Sequence, residues 1–348
     1  MPVGRLLTVE ALNAGYVLEN TVVRAVRGVS FSLDEGEFLG IAGESGCGKS
    51  TLAFALAGLL SPPGEVFSGD VVLDGRPLLD LDPETLRQMR WKDFSTVFQS
   101  SMNVLNPVMR VKDQIADAML AHVAMPAAEV AAQAAELLRM VNITPEYLNA
   151  YPHQLSGGMR QRVVIAIALA LGPKLVVMDE PTTALDVVVQ RTILQEIDEL
   201  RGRLGFSIIF ITHDLSLLVQ ISDTIAIMYA GKMVEKAPSE TLYTNPLHPY
   251  TQGLLRSFPP LVGARKRLHG ITGHPPDLSQ EVVGCPFAPR CPMMGAATGV
   301  MDAEIAEHEE VAETCETVEP AWEEVEPGHF VACHLTHSDA DGLAAAEV

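Results

Sequence analysis

Gly43-Glu-Ser-Gly-Cys-Gly-Lys-Ser50 separates two apolar stretches of different kind. Glu37 to Ala42, ahead of it, is a short apolar run that reads as a buried strand, and Thr51 to Leu60, behind it, reads as a helix. Glycines between a strand and a helix let backbone N–H groups turn toward one centre with no Cβ in the way. Those N–H groups and the helix N-terminus together make a cradle for an anion. In the pattern G-x-x-x-x-G-K-S the anion is a nucleotide phosphate, with Lys49 reaching the β- and γ-phosphates and Ser50 ligating Mg²⁺. The phosphate contacts expected here are Gly43, Ser45, Gly46, Cys47, Gly48, Lys49, Ser50 and Thr51. The strand–loop–helix setting distinguishes the loop from a chance glycine turn.

Lys174 to Met178 is a second apolar run, ending in Asp179-Glu180. A strand that is apolar throughout is covered on both faces, as in a parallel sheet. Two carboxylates at its carboxyl end are costly unless they hold a metal or a water. Asp179 suits the Mg²⁺ and Glu180 suits the base that polarises an attacking water. Further on, Leu155-Ser-Gly-Gly-Met159 precedes Arg-Gln-Arg and the apolar stretch Val163 to Leu171. Ser156 caps the helix, whose N-terminus offers further N–H donors to an anion. Its own chain gives this loop no phosphate to serve. Taken alone, the pentapeptide is a glycine-marked helix start.

The phosphate loop, Gln99, Leu155–Met159, Leu175-Val-Val-Met-Asp-Glu180 and His213 stand in the order and spacing that resemble the ATP-binding cassette (ABC) family. The resemblance implies an α/β P-loop NTPase with a RecA-like core, an antiparallel β subdomain and a helical subdomain. It implies that Ser156, Gly157 and Gly158 reach across a head-to-tail dimer to the partner's ATP, and that Asp186 contacts the partner's phosphate site. Tyr16 lies where the family stacks an aromatic ring on adenine. Gln99, after the strand Ser95 to Phe98, senses Mg²⁺ and the membrane subunit in the family. His213, after Ser207 to Ile211, matches the switch histidine at the γ-phosphate. The family form of the signature ends in Gln; Met159 departs from it and resembles the Ser-Gly-Gly-Met-Arg-Gln-Arg variant of peptide importers.

The chain has 348 residues and a net charge of −20. That charge argues against a nucleic-acid partner, which needs a basic face. No charged-then-apolar leader opens the sequence, and no run approaches the ~20 apolar residues that span a bilayer. The expectation is a cytosolic protein held peripherally on the inner face of the cell membrane by partners. The charge is uneven: from Leu268 onward sixteen acids face one base, Arg290, giving −15 and leaving −5 for the first 267 residues. Eleven of those acids lie between Asp302 and Glu326, which reads as a solvated surface stretch. The break, near the proline-marked Phe258-Pro-Pro and His274-Pro-Pro, divides the chain into a nucleotide-binding domain over 1–257, an extension over 258–337 and a tail over 338–348. Within the first domain, 1–81 suits antiparallel strands and 99–159 a helical subdomain. There Ala127 to Val141 is clearly helical, with Val130, Ala134, Leu137, Leu138 and Val141 as its apolar stripe.

Leu247-His-Pro-Tyr-Thr251 and the segment Phe98 to Pro107 resemble ATPase subunits of dipeptide/oligopeptide importers, a branch that also serves nickel uptake. The implied partners are a second ABC ATPase subunit, forming a heterodimer, two transmembrane permease subunits and, indirectly, an extracytoplasmic peptide-binding protein. The alternative is a soluble ABC ATPase acting on ribosomes or DNA. Such proteins often fuse two cassettes or insert long coiled coils, and this chain does neither.

Of five cysteines, Cys47 belongs to the phosphate loop, where no base is assigned to it. Cys285, Cys291, Cys315 and Cys333 are clustered, and cytosolic chains rarely keep disulfides, so a metal or cluster is favoured. Their spacing lacks the paired C-x₂-C knuckles of structural zinc, while Cys-Pro pairs occur in ferredoxin-type runs. The family resemblance implies a [4Fe–4S] cluster here; zinc and free thiols are the alternatives. His308, His329, His334 and His337, nearby in sequence, read as solvated, and one of them could replace a cysteine ligand.

Overall fold

The computed structural model describes residues 4–98, 104–182, 185–257, 270–294 and 309–336. Gln99, His308 and His337 lie outside the described residues. The two longest strands, β1 (Arg5–Leu18) and β2 (Thr21–Asp34), form an antiparallel pair, and the sheet order β2-β1-β4-β5 adds β4 (Gly64–Leu73) and β5 (Arg76–Pro77). This is the antiparallel layer expected from the first eighty residues.

β3 (Phe38–Ala42), β6 (Phe94–Val97), β7 (Leu175–Asp179), β8 (Ser207–Ile211) and β9 (Thr224–Tyr229) pair in parallel within an eight-stranded sheet. Successive residues of a strand point to opposite faces, and here both faces are covered. Phe38, Val176, Met178, Ile208 and Phe210 enter one core, on the side of the helical segment. Leu39, Ile41, Val177, Ile209 and Ile211 enter the other, against the antiparallel layer and α1 (Lys49–Leu56). These strands therefore read as unbroken apolar runs.

α2 (Pro83–Met89), capped by Asp82, leads into β6. The helical segment comprises α3 (Val111–Leu120), α4 (Ala127–Met140) and α5 (Gly157–Ala168). The expected stripe on α4 is buried, including Val141 just past its end. α6 (Val187–Leu204) ends on Gly205 at φ 76°, a left-handed cap that favours glycine, and α7 (Leu215–Ile221) follows β8. β10 (Lys232–Pro238) runs antiparallel to β9, followed by α8 (Ser239–Thr244) and α9 (Pro249–Arg256).

Beyond the composition break, α10 (Glu309–Thr317) precedes the hairpin of β11 (Glu323–Glu326) and β12 (His329–Val331). β12 pairs with β10 and β11 with β12, so the extension adds two strands to the eight-stranded sheet, with β11 at its edge. Phe287, 1% exposed, packs against Tyr229, Tyr250 and His248 with ring centroids 5.3–5.8 Å apart. The extension thus packs this aromatic side chain against β9 and α9, while its Trp322 and Phe330 stack on each other at 5.8 Å. Among the described residues no helix is long and apolar enough to cross a membrane.

Candidate active site

The phosphate loop joins buried β3 to α1. Gly48 has φ 103°, and a Cβ there would lie 1.9 Å from the Ala25 carbonyl oxygen, so only glycine lets the loop pass this close to β2. Gly46, at φ 81°, faces open space. Lys49 is buried, and its ammonium donates to the carbonyls of Gly43 at 2.8 Å and Glu44 at 2.9 Å, with Cys47 Sγ at 3.6 Å. Cys47 is also buried, and burial pushes its thiol pKa up despite the opposing influence of Lys49. That marks it as a packing residue rather than a nucleophile.

Asp179 closes β7 opposite Ser50. The residue is 2% exposed, and its pKa is raised first by desolvation and also by Glu180; a hydrogen bond from Ser50 and the charge of Lys49 oppose the rise. Asp179 Oδ1 has no hydrogen-bond partner among the described residues. A hydroxyl beside a buried carboxylate with an unused oxygen is a donor set that a hard divalent cation takes. Glu180 has φ 44°, a left-handed conformation rare for a non-glycine residue. Its N–H is held by Ile211 O at 2.8 Å, and its Oε1 lies 3.1 Å from His213 Nδ1. The strand ends of β7 and β8 therefore bring Glu180 and His213 together, and strain of this sort collects at functional sites.

Tyr16, on β1, places its hydroxyl 3.2 Å from Thr51 Oγ1 at the start of α1. Gln99 lies outside the described residues; Phe98 before it stacks on Phe54 of α1 with centroids 4.4 Å apart. Ser156 caps α5, its hydroxyl accepting from Met159 N–H at 3.3 Å. Asp186 caps α6, accepting from Val189 N–H at 3.0 Å. A Cβ on Gly158 would meet Val189 Cγ1 at 3.0 Å, so the starts of α5 and α6 lie side by side. Ser156 and Asp186 thus belong to one exposed ridge.

The four clustered cysteines line one cavity, together with His248, Phe287, Met293 and His334. Burial raises the Cys285 pKa and pushes Cys291 up to about 12, Cys315 to about 11 and Cys333 to about 12. Backbone N–H groups of Phe287 and Ala288 bond the sulfur of Cys285, those of Met293 and Met294 that of Cys291, and Leu335 that of Cys333. Among the described residues no three His, Cys, Asp or Glu side chains sit at the spacing a single metal ion needs. His329 points elsewhere, its Nε2 2.8 Å from Glu235 Oε1. His334 lines the cavity and bonds the Val318 carbonyl at 2.9 Å.

Sequence reasoning passed over Glu44, Tyr250 and Arg290. Glu44 follows Gly43 in the phosphate loop, and Arg290, in a 3-10 turn between two of the cysteines, grips its carboxylate. The available signal was Arg290 itself, the one base among sixteen acids.

A family model described as ABC transporter matches residues 26–183, and one described as oligopeptide/dipeptide transporter, C-terminal region, matches residues 234–297. The probable peptide ABC transporter ATP-binding protein y4tR of Sinorhizobium fredii is 42% identical over 332 residues, 94% of each chain. The chain belongs to the ABC transporter family. The dipeptide transport ATP-binding protein DppD of Caldanaerobacter subterraneus is 39% identical over 95% of this ABC subunit and 97% of its own length. The fold also matches a dimeric post-hydrolysis cassette, MJ0796, bound to ADP and Pi. That match has a TM-score of 0.60 and 29% identity, covering 67% of this chain and 99% of the other. The cassette is an ATPase.

Proposed function

We propose that this ABC ATPase powers uptake of dipeptides and oligopeptides across the cytoplasmic membrane, bound peripherally at its inner face. The observation that carries the reading is the match of residues 234–297 to the oligopeptide/dipeptide transporter C-terminal region, beyond what a generic cassette has. In this reading Tyr16 stacks on adenine, and the loop from Gly43 to Thr51 cradles the phosphates. Ser50, Asp179 and Gln99 hold Mg²⁺, which neutralises phosphate charge when bound. Glu180 orients the attacking water, and His213, 3.1 Å from it, holds Glu180 in line. Ser156, Gly157, Gly158 and Asp186 serve the nucleotide of a second ABC subunit in a head-to-tail heterodimer. Two permease subunits receive the motion through the Gln99 segment, and an extracytoplasmic binding protein delivers the peptide. The test is reconstitution with the co-purifying permeases in proteoliposomes: ATP-dependent uptake of a labelled dipeptide supports the reading. Uptake of nickel but no peptide, or ATPase activity with no membrane subunits bound, overturns it.

Cys285, Cys291, Cys315 and Cys333 are proposed to hold a [4Fe–4S] cluster. Supporting this are their shared cavity and the backbone N–H donors at three of the sulfurs. The raised thiol pKa values mean that loading must displace protons from all four, so binding strengthens as pH rises. Anaerobic protein should carry roughly four irons per chain and lose them in Cys315→Ser. Stoichiometric zinc without iron would overturn the assignment.

A further inference from the structure

The phosphate loop is held from the C-terminal side at one residue. Arg290 Nη1 and Nη2 donate to Glu44 Oε2 and Oε1 at 2.7 and 2.9 Å, the two-pronged arrangement in which a guanidinium binds a carboxylate most strongly. Tyr250, in the segment Leu247 to Thr251, accepts the Glu44 N–H on its hydroxyl at 2.9 Å. The Glu44 carbonyl accepts from Lys49 Nζ at 2.9 Å. Side chain, amide and carbonyl of Glu44 are thus each fixed, and one of the groups fixing them is the ammonium assigned to the phosphates.

Arg290 is not a loose surface partner. It is 5% exposed, its Nε donates to Thr272 O at 2.9 Å, and its Nη1 also reaches Tyr229 OH at 3.2 Å. The guanidinium lies over the Tyr229 ring, 5.7 Å from its centroid. Exposed ion pairs contribute little, but a desolvated, multiply bonded fork holds one geometry. The position of that fork is set by a short turn whose two ends are Cys285 and Cys291. Ala288 N–H bonds Cys285 O at 3.0 Å, and Cys291 N–H bonds Ala288 O at 3.2 Å. Cys285 N–H in turn bonds Cys315 O at 2.7 Å. The wall of the thiol cavity and the nucleotide loop are therefore joined through the Arg290 fork, beside the Phe287–Tyr250 contact that reaches the Glu44 amide.

We infer that Arg290 is a positioning residue for ATP: it fixes the phosphate loop through Glu44, so nucleotide affinity follows the set of the Cys285–Cys291 turn. The inference rests on the assignment of residues 43–50 as the nucleotide site and is independent of what fills the thiol cavity. If Arg290 merely anchored the extension, its loss would lower stability without a selective effect on nucleotide.

The experiment measures Mg·ATP affinity of the purified full chain with a fluorescent ATP analogue, and KM and kcat in the assembled transporter. Arg290→Ala should weaken binding and raise KM about tenfold, which is ~1.4 kcal/mol, while kcat at saturating ATP changes less than about twofold. Glu44→Gln keeps the apolar anchor at Phe287 and should give the same shift, so a folding defect in the Arg290 variant does not decide the outcome. The double variant should bind no worse than either single one, and Arg290→Lys should recover part of the loss. Cys291→Ser should weaken binding in the unaltered chain and add nothing in the Arg290→Ala background. Unchanged affinity in both single variants overturns the inference, as does full additivity in the double. So does a Cys291→Ser effect that is undiminished without Arg290. Lys49→Ala tests the underlying assignment separately: normal ATP binding by that variant would displace the nucleotide site itself.

Discussion

Removing the Glu235 carboxylate should release the C-terminal hairpin from the cassette sheet. Glu235 is fully buried on β10, where it accepts from Leu247 N–H at 2.7 Å, His248 N–H at 3.0 Å and His329 Nε2 at 2.8 Å. Glu235→Ala orphans these three donors in a site closed to water. Each unpaired buried donor costs about 1–3 kcal/mol, but the cavity left by the side chain admits water and relieves part of it. The expected loss is about 3–5 kcal/mol, the range for breaking a buried charged network by removing one partner. Glu235→Gln keeps the shape and one acceptor oxygen but turns an NH₂ toward remaining donors, so its loss should be smaller, about 2 kcal/mol. Hydrogen exchange reads this directly: protection should fall at Leu247 to Tyr250 and at His329 to Val331, with β3, β7 and β8 unchanged. If the Ala variant shows native protection in both segments, Glu235 is not the residue that joins them.

Glu180→Gln should still bind ATP while turnover falls ~10²-fold or more and the ATP-bound dimer accumulates on gel filtration; near-normal hydrolysis in the complex removes Glu180 from the mechanism. Ser156→Arg should leave ATP binding at Lys49 intact and depress ATPase activity of the assembled complex; an isolated chain that hydrolyses as fast as the complex and ignores this change refutes the head-to-tail site. Burial lowers the His248 pKa to about 4. The unfolded side chain titrates near ~6.5, so between these values only the unfolded chain is protonated, and stability should fall as pH drops through the window, by up to about 3 kcal/mol. Thermal unfolding at several pH values should show the slope, and His248→Gln should flatten it.

Much of this architecture was legible because burial on both faces leaves a plain mark. Ser207–Ile211 is apolar at every position but the first, and β8 has those bounds. The stripe from Val130 to Val141 has a helix's period, and α4 buries it. The hairpin of the extension left no such mark. Glu323-Glu-Val-Glu326 reads as a solvated acidic stretch, yet it pairs as β11, because an edge strand needs one neighbour and leaves its side chains in water. The site divides the same way. Lys49, Ser50, Asp179 and Glu180 are local signals at strand ends. The partnership of Arg290 with Glu44 spans 246 residues, and no local pattern encodes it. Tyr16 is intermediate: β1 brings it to Thr51, a placement that its own neighbours in sequence do not announce.

With residues 43–50 holding ATP and Asp179 holding Mg²⁺, as proposed above, the electrostatics of the site would favour Mg·ATP over either component. At the end of β7 two adjacent acids share one strand terminus, and burial together with Glu180 already disfavours the charged form of Asp179. Only the Ser50 hydrogen bond and the Lys49 charge support it, and Lys49 is engaged by the Gly43 and Glu44 carbonyls. ATP without a cation would bring further negative charge toward these carboxylates, and a cation without phosphate would leave the amide cradle unused. Bound together they supply a positive centre for Asp179 and an anion for the loop. The carboxylate pair therefore acts against uncomplexed nucleotide as well as toward the cation, and discrimination of this kind comes from a repulsive element as much as from an attractive one. Glu44 extends the same logic. Without Arg290 it would be a third carboxylate beside the phosphates, and the bidentate fork neutralises it while setting the loop's shape.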